Sequence, residues 1–174
     1  MHADWFSQLK TRKIACMGAI LRLSKTLEKE PDMPVLADFQ LGKYRSRWDI
    51  ESWLGLKNTC FSRLGQAERG WTEIDFQREF LQREWWSPER MWFASLREPP
   101  WTTVGSATLA AGPRFCLQWM MVAPEYRCRG IGHAMLGAVE TSCWTMGGRE
   151  IGLETLDEWT DAVRLYRSLG YREL

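Results

Sequence analysis

Apolar residues recur at three- and four-residue spacing from Ile50 through Trp53, Leu54, Cys60, Phe61 and Leu64, which predicts a helix headed by a capping Asp49. Gly65 and Gly70 punctuate the turn that follows. Thr72 and Asp75 make a box-like start for a second helix, with Phe76, Phe80 and Leu81 on one side and Ser87-Pro88 closing it. The pattern then becomes strand-like at 91–96, 102–109 and 115–122, runs separated by Pro99-Pro100 and Gly112-Pro113. Those short turn signals favour an antiparallel meander. A helical stripe returns at Ile131, Met135, Val139, Cys143 and Met146 and stops at Gly147-Gly148. Residues 151–156 give one more strand, and 160–169 a short amphipathic helix with Gly170 placed as its left-handed cap. A loosely alternating stretch at 39–44 supplies a first strand. The predicted order is β-α-α-β-β-β-α-β-α: an α/β (α+β) fold with a mixed, mostly antiparallel sheet flanked by helices.

Composition narrows the class. At 174 residues and 45% apolar content the chain suits one globular domain. Lysine plus arginine (23) nearly balances aspartate plus glutamate (22), which argues against a polybasic nucleic-acid binder. Five cysteines, Cys16, Cys60, Cys116, Cys128 and Cys143, are odd in number, widely spaced and without a C-x-x-C pair. That usage predicts reduced thiols and a cytoplasmic location. His2 and His133 are too few for a zinc site at the usual spacing, so no metal is expected. Lys10, Arg12 and Lys13 precede an apolar run at 14–21, but Arg22 and Lys25 break it and no cleavage site follows. It is too short for a membrane span, which needs about 20 apolar residues. Residues 1–37 are accordingly read as an extension, disordered or from a start placed too far upstream, with Met33 an alternative start. A surface-bound amphipathic helix is the minor option, and the domain proper is 38–174.

The most informative segment is Val122-Ala-Pro-Glu-Tyr-Arg127-Cys128-Arg129-Gly130-Ile131-Gly132, a predicted strand-to-helix turn. Unpaired amides at a helix N-terminus attract phosphate, and glycines allow close approach. Arg127 and Arg129 can add charge-assisted hydrogen bonds. The competing reading is that the glycines serve tight packing and the arginines are solvated. Met135 occupies the third glycine position of a dinucleotide fingerprint, and no Gly-Lys-Ser/Thr follows, so both of those nucleotide motifs are excluded.

Arg127-Cys-Arg-Gly130-Ile-Gly132 resembles the R/Q-x-x-G-x-G/A signature of GNAT acyltransferases. The strand ending Met-Val-Ala-Pro before it, and Ala162-x-x-Leu165-Tyr166-x-x-x-Gly170-Tyr171 after it, are similar to the flanking pieces of that family. The resemblance runs from about Phe39 to the C-terminus. It implies an acetyl-CoA-dependent N-acetyltransferase acting on a primary amine of a small molecule or peptide by direct attack in a ternary complex. It implies that Arg127, Cys128, Arg129, Gly130, Ile131 and Gly132 hold the CoA pyrophosphate. Met120, Met121 and Val122 would then offer backbone groups to the pantetheine arm, and Tyr166 would protonate the leaving thiolate. No membrane span and no nucleic acid enter this reading, and a homodimer stays open.

Three positions depart from the family pattern. Trp159 stands where an asparagine is common. Cys116 and Gln118 stand where a glutamate base is common, leaving Glu154 as a fallback beside its plain reading as a salt-bridged residue. The chain ends at Leu174, where related proteins continue into further strands, so truncation and completion by a second subunit both stay open. Phe61, Trp71, Trp85, Trp86 and Trp92 offer aromatic surface for an acceptor groove, with core packing the favoured alternative. Cys128 is read as a buried inert thiol, with a reactive one as the alternative. The rival function is a non-catalytic acyl-CoA-binding or regulatory module.

Overall fold

The computed structural model describes residues 18–61 and 70–174. Cys16, the first half of the 14–21 run, and the predicted continuation of the first helix to Leu64 lie outside the described residues. Within them, β1 (Ile20–Thr26) and β2 (Phe39–Lys43) precede α1 (Arg47–Phe61) and the short α2 (Glu73–Phe76), which widens into a π-helical stretch at Gln77–Leu81. Then follow β3 (Met91–Leu96), β4 (Thr103–Ala111), β5 (Phe115–Val122), α3 (Ile131–Thr145), β6 (Glu150–Leu156), α4 (Thr160–Ser168) and the two-residue β7 (Arg172–Glu173). Seven strands form one sheet in the order β2-β3-β4-β5-β6-β1-β7. The β5–β6 pair is parallel and its neighbours are antiparallel, so the mixed, mostly antiparallel sheet read from the sequence stands. Among the described residues no helix is long and apolar enough to cross a membrane.

Side chains alternate across each strand and sort into two cores, one per face. Leu109, Leu117 and Leu153 join Met135, Leu136 and Val139 of α3 and Tyr166 of α4. Met91, Phe93, Cys116 and Met121 join Ile50 and Trp53 of α1, together with Phe76 and Phe80. Each fully buried Leu, Met or Phe in these cores contributes about 1.5–3 kcal/mol by leaving water.

Both helix starts on the second face are set by local hydrogen bonds. Asp49 sits inside the first turn of α1 and is not its cap. Its Oδ2 accepts from the Ser46 and Arg45 amides at 2.8 and 2.6 Å, while the Ser46 hydroxyl accepts from Trp48 N–H at 3.3 Å. Thr72 does open α2, with Asp75 Oδ2 accepting from its amide at 2.9 Å. Leu81 is exposed, because the wider π turn rotates it off the face that Phe76 and Phe80 share.

The boundary drawn at residue 38 does not hold for residues 20–26. As β1 they pair antiparallel with the whole of β6, from Ile20 opposite Leu156 to Thr26 opposite Glu150, and Leu23 is fully buried. β7 pairs in turn with β1 at Leu23–Glu173 and Ser24–Arg172. The sheet beyond β6 is therefore continued by a strand from the start of this same chain.

From β1 the chain runs as a strap along α3. Thr141 Oγ1 donates to the Pro31 carbonyl at 3.4 Å, and Arg97 donates to the carbonyls of Leu36, Ala37 and Phe39 at 3.0–3.2 Å. Between those pins the strap passes Gly137 and ends over Gly130, the head of α3.

Candidate functional site

Two irregularities of β5 shape the centre of the sheet. Its parallel ladder with β6 consists of Phe115–Ile151 and Cys116–Gly152 only; from Leu117 onward β5 keeps its ladder partners in β4 alone, and the two strands part. In the same stretch Ser106 pairs with Met121 and Thr108 with Gln118, so Trp119 and Met120 together oppose Ala107. This is a β-bulge. Trp119 adopts φ +50°, a left-handed conformation that costs a bulky residue on the order of 1–3 kcal/mol. Past the bulge, Ala123 N–H donates to the Val104 carbonyl of β4 at 2.8 Å. The Val122 carbonyl points elsewhere, accepting from Arg127 Nε at 3.2 Å and Cys60 Sγ at 3.5 Å.

A 3₁₀ turn, Pro124–Tyr126, leads into the motif. Arg127, Cys128, Arg129 and Gly130 are all exposed, so Cys128 is not the buried thiol expected. Cys128 and Gly130 take φ of +60° and +79°, folding the backbone under the first turn of α3. The Arg129 guanidinium lies over the Tyr126 ring at 5.4 Å. Ile131 is buried and anchors the helix. The two glycines have different work. Gly130 supplies the left-handed residue; Gly132 supplies room, since a Cβ there would stand 2.9 Å from Leu165 Cδ2 and 3.1 Å from Met120 Cε. The packing reading of Gly132 thus has direct support, from the far ends of two flexible side chains.

Met120 and Val122 pack toward α3 and α4, with Met121 buried on the opposite face, the alternation expected of the strand. Tyr166 joins the same core as Met120, Val122, Ile131 and Leu165, and its ring meets Tyr171 edge-on at 5.8 Å. Burial pushes its phenol well above the ordinary tyrosine range. Tyr166 is therefore protonated throughout neutral pH.

On the other face, Glu154 is paired with Arg22 of β1 at 3.0 Å. Cys116 is buried and its thiol pushed up to about 12, by burial first and the Glu154 charge next. Trp159 precedes α4 and packs on Phe61 at 5.5 Å. Of the aromatic residues expected beside a groove, Trp85 is buried and Trp92 faces the α3 side. Phe61 and Trp71 are half-buried and meet Trp119, whose Nε1 donates to Glu79 Oε1 at 3.0 Å. Neither Glu79 nor the left-handed Trp119 was marked by the sequence pattern. A cavity of about 300 Å³ lies elsewhere, between the strap and α3, lined by Lys25, His133, Gly137 and Glu140. No residue of β5 lines it. Among the described residues no group of three His, Cys, Asp or Glu converges.

A family model described as the Acetyltransferase (GNAT) family matches residues 50–171, and the chain belongs to that family. Mycothiol acetyltransferase of Thermobispora bispora is 31% identical over 160 residues, covering 88% of this chain and 53% of the relative. A GCN5-related N-acetyltransferase structure from Sphaerobacter thermophilus superposes with a TM-score of 0.75 at 21% identity, over 89% of this chain and 48% of that one. AAC(6')-Iy, solved with the bisubstrate analogue CoA-S-monomethyl-acetylneamine, superposes at 0.59 with 18% identity, over 79% and 92%. The chain spans about half the length of the first two.

Proposed function

We propose that this chain transfers an acetyl group from acetyl-CoA to a primary amine by direct attack in a ternary complex. The supporting observation is the parting of β5 from β6 directly before the cationic turn that opens α3. Arg127, Cys128, Arg129 and Gly130 are exposed at the head of a 15-residue helix, where amides and dipole favour a pyrophosphate. Met120, Met121 and Val122 lie where β5 has no ladder partner in β6, so their backbone on that side is assigned to the amide-rich arm, and Ile131 and Gly132 are assigned to the pyrophosphate at the start of α3. Acetyl-CoA supplies an acyl carbon activated as a thioester. Tyr166 is protonated at neutral pH and gives its proton to the departing sulfur. The amine enters from the α1–α2 face. It loses its ammonium proton to water before attack and a second nitrogen proton to solvent as the thiolate departs, from which Tyr166 is reprotonated. Positioning supplies much of the rate in place of a dedicated base.

Thermal melting with and without acetyl-CoA tests this reading. Ligand at 100 times its Kd adds about 2.7 kcal/mol of stability. A flat titration would overturn it. Thiol release in the presence of an amine separates transfer from mere binding, and its absence with intact binding would leave an acyl-CoA-binding module.

A further inference from the structure

We infer that Glu79 is the anchor for the acceptor's ammonium group, and that the acceptor is a primary amine carried on a flat apolar body. The inference rests on the transferase reading and names its acceptor class.

Two departures from regular backbone meet at one place. Glu79 lies in the π-helical stretch Gln77–Leu81, a geometry that concentrates at functional sites. Trp119 lies in the bulge of β5 with its backbone left-handed. The 3.0 Å hydrogen bond from Trp119 Nε1 to Glu79 Oε1 ties the two together. That bond fixes the carboxylate beside the stretch where β5 leaves β6. It also leaves acceptor capacity on the group: a carboxylate has about four lone-pair sites. The one ion pair to Glu79 among the described residues is Arg83 Nη2 at 3.9 Å from Oε2, a long contact, and the side chain is 29% exposed.

The surroundings select the rest of the ligand. Trp71, Trp119, Phe61 and Trp159, each half-buried, form a chain of ring contacts at 4.8, 6.1 and 5.5 Å. Trp119 belongs to β5 and Trp159 follows β6, so the strip bridges the two strands that part, on the face opposite α3. Fully buried Trp53, Phe76 and Phe80 hold it from behind. Partly exposed ring faces beside a fixed carboxylate fit a cation attached to an aromatic or similarly flat group. The cation gains both the charge and the ring quadrupole. A polycationic acceptor fits less well, because Lys57 already lies over the Trp71 ring at 4.6 Å.

The test is calorimetric titration at neutral pH with 2-phenylethylamine, its uncharged isostere 2-phenylethanol, and 1,4-diaminobutane. Wild type is expected to bind the phenylethylamine about tenfold or more tighter than either of the others. Glu79→Gln keeps an oxygen for Trp119 Nε1 but loses the charge; it is expected to lose about tenfold for the amine and nothing for the alcohol. Its melting temperature and acetyl-CoA affinity serve as the folding control. Equal amine affinity in Glu79→Gln, an alcohol that matches the amine, a diamine that matches it, or no binding of phenylethylamine at millimolar concentration would each overturn the assignment. The readout is binding, so it is separable from the parent reading. Acetyl transfer to diaminobutane without phenylethylamine binding would sink the anchor and spare the transferase; anchored amine that is never acetylated would do the reverse.

Discussion

Gly137 faces the backbone of Asp32 so closely that a Cβ on it would stand 2.7 Å from the Asp32 carbonyl oxygen. The contact is between a helix and the strap that leads from β1, so it fixes the path of the chain to the turn that heads α3. Glycine inside a helix ordinarily costs about 0.5–1 kcal/mol relative to alanine. Here the sign reverses. Gly137→Ala must push backbone, not a side-chain tip, and overpacking of this kind costs about 1–3 kcal/mol. The expected net loss is about 1 kcal/mol or more. Gly55 in α1 has nothing within 4 Å of its Cβ position, and Gly55→Ala is expected to gain up to about 1 kcal/mol. Urea unfolding of the two variants checks the pair; a stabilised Gly137→Ala would show that the strap does not lie on α3.

That strap, and the strand before it, mark where a local reading of the sequence fails. Strands at 91–96 and 115–122 were legible to the residue, because their apolar runs end in turn-forming dipeptides. β1 was not legible. Arg22 and Lys25 look like interruptions of an apolar run, yet they point to opposite faces of the strand. Arg22 pairs with Glu154 at 3.0 Å and Lys25 with Glu140 at 2.7 Å, partners more than a hundred residues away. The turn at 127–130 that heads α3 was legible because strand end, glycines and helix start are contiguous. The Glu79–Trp119 pair was not, because neither a π-helical turn nor a bulge leaves a period in the sequence.

Alkaline stability follows from two buried thiols and one half-buried one. Cys116 is pushed up to about 12, and Cys60 and Cys143 to about 11, in each case mainly by burial. The folded values are raised above the unfolded ones, so the stabilisation is complete below the ordinary thiol range near 8.5. It is lost as pH rises through the folded values, because the unfolded chain gives up protons that the native chain keeps. Cys116 alone contributes a slope of about 1.4 kcal/mol per pH unit once the unfolded thiol is ionised. Denaturant midpoints measured from pH 8 to pH 10.5 should fall, and Cys116→Ala should flatten that fall whatever its effect at pH 8. A wild-type curve without slope would mean that Cys116 is solvated.

Cys128 is the opposite case. It is exposed in the turn, between Arg127 and Arg129, while Cys116 and Cys143 are buried. Iodoacetamide at pH 8 should label Cys128 before those two, as read by peptide mass spectrometry. If the turn grips a pyrophosphate, saturating acetyl-CoA, which has no free thiol, should slow that labelling about tenfold. Unchanged labelling alongside a ligand-raised melting temperature would place the cofactor elsewhere.

Tyr166 and Tyr171 separate packing from chemistry on the α4 side. Both phenols are buried, both are raised by burial, and their rings touch, so either hydroxyl could be purely structural. Tyr171 has a further partner: the charge of Glu140 also raises it, and Lys25 holds that carboxylate. Tyr166 lacks that link and shares its core with Met120 and Val122, the residues of the parted strand. Tyr166→Phe is therefore expected to lower kcat about ten- to a hundredfold, the low end of general-acid effects, with acetyl-CoA affinity and melting temperature nearly unchanged. Tyr171→Phe is expected to leave kcat nearly unchanged. Because the Tyr166 phenol lies above the ordinary range, its ionisation should add no falling limb to the rate profile below pH 10. Equal turnover in wild type and Tyr166→Phe would return this hydroxyl to the core and leave the departing thiolate to be protonated by water.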